Sequence, residues 1–202
     1  LLEAYGAAER IFKIEDTLPQ TEEPETPVVC GEIETIEFKD VTFAYPNTER
    51  RILDHFNYVI HKGDQIGIAG ESGAGKSTLL RLLLRFYAPS EGQILINGIP
   101  LNQISFSELH QRIAFLEQDT YLFDMTIAKN IGIAKPEASM EEIKDAARRA
   151  GIAEFIDTLP DGYDTDMGQM SARLSGGERQ RIGIARILLR NPDICLMDEP
   201  SS

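Results

Sequence analysis

The chain has 202 residues, 42% of them hydrophobic and 26% charged, which is typical of a globular protein with one large domain. Its formal net charge of -13 argues against a nucleic-acid-binding surface, because phosphate backbones are met by clustered lysine and arginine. No apolar run is long enough to span a bilayer, and the 2 cysteines and 3 histidines lack metal-binding spacings. We therefore expect Cys30 and Cys195 to be reduced, structural thiols.

The first 31 residues differ in composition from the rest of the chain. Residues 1–12 place apolar side chains at near-helical spacing, and residues 15–31 hold three prolines and several glutamates, which is typical of an extended linker. The pattern predicts a connector and linker over residues 1–31 and one domain over residues 32–202.

Within residues 32–202, apolar periodicity predicts alternating strands and helices. Asn97-Gly98 after an apolar run predicts a hairpin, and Ser139 followed by Glu142 predicts a capped helix start. Strands are expected at residues 36–45, 56–60, 65–69, 93–96, 113–116 and 194–197, and helices at residues 79–86, 105–111, 139–150, around 155–156 and up to about 189. The fold class is therefore α/β.

Residues 70–78 fit the phosphate-binding pattern G-x-x-x-x-G-K-[ST] between a predicted strand and a predicted helix. Glycines allow backbone N–H groups to surround an anion, while Lys76 can reach the β- and γ-phosphates and Ser77 can bind Mg²⁺. The predicted nucleotide-binding residues here are Gly70, Glu71, Ser72, Gly73, Ala74, Gly75, Lys76, Ser77 and Thr78. The alternative, a glycine-rich turn that matches by chance, is disfavoured by the strand-loop-helix context.

Two acids follow the apolar run at residues 194–197. A buried parallel strand presents its carboxyl end to the ligand crevice of an α/β sheet, so Asp198 can bind Mg²⁺ and Glu199 can act as general base toward a water. The alternative is a pair of solvated acids at a strand end. The phosphate loop upstream favours the metal-binding interpretation.

Ser175, Gly176 and Gly177 follow Leu174 and precede a predicted helix. They could be no more than a helix cap, yet a serine and two glycines at a helix start also suit a phosphate. A single nucleotide has no obvious need for both this helix start and the phosphate loop of one chain. The pattern therefore hints that two copies share a site.

Together these motifs resemble the nucleotide-binding domain of ATP-binding cassette (ABC) transporters. Walker A lies at residues 70–78, the signature motif at residues 174–180 and Walker B at residues 194–199. Residues 43–46, 118–124 and 155–165 are similar to stretches of the exporter branch, in which transmembrane and ATPase parts share one polypeptide. Residues 1–12 resemble the end of the last transmembrane helix and its connector.

The resemblance implies an ABC-type P-loop NTPase fold with a RecA-like core, an antiparallel β subdomain and a helical subdomain. It implies ATP and Mg²⁺ as cofactors, a head-to-tail dimer with a second nucleotide-binding domain, and a place on the cytoplasmic side of the cell membrane. Tyr45 would stack on adenine, with core packing as the alternative interpretation. Gln118 would contact Mg²⁺ or the attacking water, and Ser175, Gly176 and Gly177 would contact the partner copy's ATP.

Three departures from the family pattern are visible. Glu178 replaces the common glutamine of the signature motif, and residues 168–171 differ from the usual Gly-Glu-Arg-Gly that bears on coupling to the membrane domain. The family's D-loop, switch histidine and last elements would follow Ser202, so the domain is expected to be truncated after Walker B. Two alternatives stay open: a soluble ABC ATPase outside transport, and a non-hydrolysing half of an asymmetric pair.

Overall fold

The computed structural model describes residues 20–71, 73–117, 120–170 and 174–198, without the side chains of residues 169 and 170. The chain divides into two compact units. Unit 1 comprises the residues up to Val29 together with Thr35–Ser105, and unit 2 comprises Cys30–Glu34 together with the residues from Phe106 onward.

Unit 1 is built on an antiparallel sheet. Its strands are β1 (Thr35–Ala44), β2 (Arg51–His61), β3 (Glu91–Ile96) and β4 (Ile99–Pro100), in the order β2-β1-β3-β4. The alternation in β1 buries Ile36 and Phe38, and a register shift after Phe38 lets Val41 and Phe43 be buried as well. The strands predicted from alternation at residues 36–45, 56–60 and 93–96 are confirmed.

The hairpin predicted at Asn97-Gly98 joins β3 to β4. Both residues have positive φ, 51° and 77°, as a two-residue turn of this type requires. The Asn97 side chain also accepts a hydrogen bond from the Thr35 N–H at 3.0 Å, which ties the turn to the start of β1. Local turn chemistry thus sets the register of this edge of the sheet.

Helix α1 (Lys76–Leu83) follows the phosphate loop and packs Leu82 and Leu83 into unit 1. Arg85, just beyond it, is buried and donates hydrogen bonds to the Ile104 carbonyl and, at 2.5 Å, to the Glu22 carbonyl. Burial lowers the pKa of this guanidinium from its ordinary value. Residues 20–31 form no helix or strand, and Arg85 ties Glu22 of this segment to the end of α1 within unit 1.

The strand predicted at residues 65–69 is wrong. These residues form no ladder, and Ile66 and Ile68 are 41% and 47% exposed. An apolar run becomes a strand only where a neighbour meets its backbone groups, and no described strand of unit 1 pairs with it. Gly67 at its centre further weakens the strand preference.

Unit 2 combines a parallel strand pair with a group of helices. Strands β5 (Ile113–Leu116) and β6 (Ile194–Met197) pair in parallel, with Leu116 opposite Met197. The helices are α2 (Phe106–Arg112), α3 (Ile127–Gly132), α4 (Met140–Arg149), α5 (Ala153–Asp157), α6 (Met167–Met170) and α7 (Gly176–Arg190). All the elements predicted after residue 104 are confirmed, with small shifts at their ends.

The core of unit 2 lies among α3, α4, α5 and α7. Apolar residues at helical spacing, such as Ile127 and Ile131 of α3 and Ile182 of α7, are fully buried there. Ser139 caps α4 through a complete capping box with Glu142, as predicted. In the part of the chain that the structure describes, we find no helix with the length and apolar character of a membrane span.

Candidate functional site

The phosphate loop ends at an uncapped helix start. Gly75 is the N-cap of α1 and has the left-handed conformation, with φ 95° and ψ 7°. Because glycine has no side chain, nothing from this residue caps the first N–H groups of the helix. The first turn of α1 contains no acidic residue. Because these N–H groups carry the positive end of the helix dipole, the start of α1 is complementary to an anion.

Gly75 is required by space as well as by conformation. A Cβ at this position would lie 2.9 Å from the Ile52 Cγ2 atom and 3.4 Å from the Ile52 carbonyl oxygen. The loop therefore lies directly on β2, and only glycine allows this approach. The sheet of unit 1 thereby fixes where α1 begins.

Lys76 lies over the loop that precedes it. Its Nζ donates to the carbonyls of Gly70 at 2.8 Å and Glu71 at 2.9 Å, while the Ala74 N–H donates to Glu71 at 3.1 Å. These bonds place a cation beside the uncapped helix start. Ser77 lies next to Lys76 in the first turn and is half-buried. Ser72 lies outside the described residues.

Tyr45 lies directly after β1 and is half-buried. Its hydroxyl is 3.0 Å from the Thr78 Oγ1 atom, and Arg81 Nη1 donates to it at 3.1 Å. Its ring packs edge-on against Phe43 and Tyr87, with centroids 5.0 and 5.2 Å away. Tyr45 and Thr78, predicted separately, are thus in contact, and Tyr45 packs against two aromatic rings as a half-buried residue.

Asp198 lies at the end of β6, where the parallel pairing continues beyond the strand. Its N–H donates to the Leu116 carbonyl at 3.1 Å, and its side chain is half-buried. Glu117 directly follows β5 and Asp198 directly follows β6, so both lie at the same edge of the strand pair, as expected for the carboxyl ends of parallel strands. Gln118 and Glu199, predicted beside them, lie outside the described residues.

Ser175 is the N-cap of α7 and forms a capping box with Glu178. The Ser175 hydroxyl accepts the Glu178 N–H at 3.2 Å, and the Glu178 carboxylate accepts the Ser175 N–H at 2.7 Å. Gly176 and Gly177, in the first turn, are exposed. The role of Glu178 was missed in the sequence, although serine followed three residues later by glutamate is the usual signal.

Asn130 was also missed. This residue of α3 is fully buried, and its amide bonds the backbone of Phe123, Met125 and Thr126 at 2.9 to 3.1 Å. Arg186 of α7 donates to the Asn130 carbonyl and side chain at 2.8 and 2.9 Å. This network orders residues 121–126, which follow Gln118. In the sequence, the only signal for this network is a polar residue, Asn130, on an apolar helix face.

Comparison with known proteins agrees with these motifs. The family model described as ABC transporter matches residues 53–202. The chain therefore belongs to the ABC transporter family.

Curated relatives in the same family are longer than this chain. A "Probable ABC transporter ATP-binding/permease protein" of Haemophilus influenzae is 43% identical over 202 residues, which are 100% of this chain and 36% of that protein. An "ATP-dependent lipid A-core flippase" of Chromobacterium violaceum is 41% identical over 199 residues, covering 98% of this chain and 34% of that protein. The chain thus spans about a third of the length of these relatives.

A solved structure supports the same fold. The structure titled "Structure of a bacterial Atm1-family ABC exporter with ATP bound" matches with a TM-score of 0.87 and 40% identity, covering 96% of this chain and 34% of that chain. The predicted ABC-type P-loop NTPase fold is therefore confirmed. The antiparallel sheet of unit 1 and the helices of unit 2 correspond to the expected β and helical parts.

Proposed function

We propose that this chain is the ATP-binding and ATP-hydrolysing part of an exporter, working on the cytoplasmic side of a membrane. The observation that carries the proposal is the start of α1. There, a left-handed Gly75 leaves the first turn without a side-chain cap, and Lys76 places a cation against the loop. An uncapped helix start beside an ammonium group suits an anion of high charge density, such as a nucleoside triphosphate.

The proposed ATP contacts follow from this geometry. The backbone of residues 70–75 and the Lys76 ammonium bind the phosphates, and Tyr45 supports the base through its partly exposed ring. Lys76 must then exchange its bonds to the carbonyls of Gly70 and Glu71 for bonds to phosphate. Charged phosphate oxygens are better acceptors for an ammonium than neutral carbonyls are, so the exchange favours binding.

The donor set also fits magnesium. Ser77 offers a hydroxyl in the first turn of α1, and Asp198 offers a carboxylate at the end of β6, both oxygen ligands of the kind that Mg²⁺ prefers. From their places in the sequence motifs, we propose these two residues and Gln118 as its ligands. Bound magnesium would neutralise phosphate charge, while Lys76 holds the phosphates and Glu199 orients the attacking water.

The second half of the site is proposed to lie on another nucleotide-binding domain. Ser175, Gly176 and Gly177 begin α7 with exposed backbone, as a contact to a partner's nucleotide requires. Two such domains, identical or different, would close head to tail around two nucleotides. Similarity over the whole chain to an ATP-binding/permease protein supports a transmembrane domain in the same polypeptide.

The proposal is tested by substituting Lys76. In the full-length protein, Lys76→Ala should weaken ATP binding by more than about a hundredfold, because a charge-assisted contact to two phosphates is lost. Lys39→Ala is the matched control, since Lys39 is an exposed lysine of β1 in the same unit. Equilibrium binding of a fluorescent ATP analogue measures both. Unchanged affinity in Lys76→Ala would contradict the site.

A further inference from the structure

Two side chains of α1 converge on the hydroxyl of Tyr45. The Thr78 Oγ1 atom lies at 3.0 Å, and the Arg81 guanidinium donates at 3.1 Å. Thr78 and Arg81 are one turn apart on α1, so both present their side chains on the same face of the helix. Helix α1, which begins at the phosphate loop, therefore hydrogen-bonds Tyr45, the residue that we assign to the base.

The hydrogen bonds form a consistent chain. A guanidinium only donates, so the phenol oxygen of Tyr45 accepts from Arg81. The Tyr45 and Thr78 hydroxyls share a second hydrogen bond, in which either can be the donor. Thr78 itself is 4% exposed, which makes it a rigid partner. Arg81, by contrast, is exposed and anchors the hydroxyl from the solvent side.

Aromatic packing restricts the ring at the same time. Phe43, which is 2% exposed, and Tyr87 both contact the Tyr45 ring, and they also contact each other with centroids 5.6 Å apart. Edge-to-face contacts of this kind favour one ring orientation. The ring is thus fixed by its neighbours in the sheet and after α1, and the hydroxyl is fixed by α1.

We propose that Arg81 is a positioning residue for the base site. By donating to the Tyr45 hydroxyl, it holds the Tyr45 ring in a fixed position relative to α1, the helix that begins at the phosphate loop. The inference rests on the proposed function and adds to it a residue outside the nucleotide-binding motifs. A ring held in advance loses less conformational freedom when a base stacks on it, so the network strengthens binding of the base and leaves binding of the phosphates alone.

The test separates the hydroxyl from the ring. Tyr45→Phe keeps the ring and removes the hydrogen bonds, and Arg81→Met keeps the hydroxyl and removes one donor. In the full-length protein Arg81→Met should weaken ATP binding about two- to tenfold, the value of one hydrogen bond, and Tyr45→Phe at least as much. Both should raise KM for ATP with kcat unchanged. Tyr58→Phe and Arg51→Gln, exposed residues of β2, are matched controls that should leave both constants unchanged.

A double-mutant cycle shows whether Arg81 acts through the hydroxyl. Adding Arg81→Met to Tyr45→Phe should cost nothing further, because the acceptor is already gone. If the two effects add fully, Arg81 acts independently of Tyr45 and the proposal is overturned.

A ligand without a base gives the second readout. Binding of magnesium tripolyphosphate should be unchanged in Tyr45→Phe and Arg81→Met, yet strongly weakened in Lys76→Ala. Equal losses for tripolyphosphate and ATP in Arg81→Met would show that Arg81 supports α1 itself, which contradicts the proposal. If Lys76→Ala leaves both ligands bound, the proposed function fails instead, so the two failures can be told apart.

Discussion

The starts of α1 and α7 carry similar residues, glycine with a serine or lysine nearby, but the structure completes them differently. At α1 the cap is a left-handed Gly75 without a side chain, and no acid lies in the first turn. At α7 the cap is Ser175, and Glu178 accepts its N–H at 2.7 Å. One helix start has no capping side chain beside its N–H groups, while the other is capped by its own side chains.

The difference in capping assigns different roles to the two helix starts, although their sequence motifs are similar. An uncapped start next to Lys76 favours phosphate in a single chain. A start whose hydroxyl and carboxylate already accept the N–H groups of Glu178 and Ser175 has little to offer a lone phosphate, and its carboxylate repels one. We infer that α1 provides the primary binding half and that α7 contributes only after a second domain has brought a nucleotide to it.

The largest expected effect comes from closing the open start. Gly75→Ala should destabilise unit 1 by about 1–3 kcal/mol, because alanine is strained at this positive φ and its Cβ meets Ile52. ATP affinity should fall with it. Gly67→Ala is the control, since a Cβ there meets nothing within 4 Å. Urea denaturation and ATP titration measure both, and a Gly75→Ala protein with unchanged affinity would contradict the role of this start.

The next largest effect comes from removing the cap of the closed start. Ser175→Ala and Ser139→Ala each remove the same kind of capping box and should each cost about 1 kcal/mol of stability. Only Ser175→Ala should also lower ATP hydrolysis by the paired domains, about ten- to hundredfold for a lost hydrogen bond to charged phosphate. Equal hydrolysis in the two variants would show that Ser175 is only a cap.

A smaller effect is expected from neutralising Glu178. Glutamine can also complete a capping box, so Glu178→Gln should change stability by only a few tenths of a kcal/mol, on the order of a weak dipole effect. ATP-dependent association should become about two- to fivefold tighter, because the repulsion between a carboxylate and phosphate is removed. Sedimentation with and without ATP measures this. Weaker association in the variant would show that the charge itself is needed.

The smallest effect concerns pH at the capping box of α4. Its Glu142 accepts hydrogen bonds from Lys135, then from the Ser139 N–H and hydroxyl, which together lower its pKa from 4.5 to about 2. A lowered folded pKa gives stability that is present above the ordinary value and is lost as pH falls from about 5 toward 2. Thermal unfolding across this range should show a shallow acid limb that Glu142→Gln removes. If Glu142→Gln leaves the loss of stability at acid pH unchanged, that loss comes from other groups than Glu142.

Sequence reasoning succeeded where local chemistry decides the structure. The Asn97-Gly98 turn, the Ser139 cap and the helices α4 and α7 depend on residues close in the chain, and the structure has them as predicted. The domain boundary near residue 31 and the site roles of Gln118, Glu199 and the other predicted residues remain predictions.

The failures concern contacts between distant residues. Residues 65–69 read as a strand from hydrophobicity, which says nothing about whether a ladder partner is in place. Arg81 reaches Tyr45 across 36 positions, and Arg186 reaches Asn130 across 56. Neither pair has a spacing that periodicity could detect, so the networks around the base site and after Gln118 emerge only in three dimensions.

In the proposed dimer, α1 of one domain and α7 of another complete a single ATP site. A direct test mixes full-length Lys76→Ala protein with full-length Ser175→Ala protein, each of which is expected to retain ATP poorly alone. A mixed pair contains one site with an intact Lys76 and an intact Ser175. We therefore expect tight ATP retention, measured with labelled ATP on a filter, to reappear on mixing. If mixed pairs form and retention stays at the level of the separate variants, the two helix starts do not share a nucleotide.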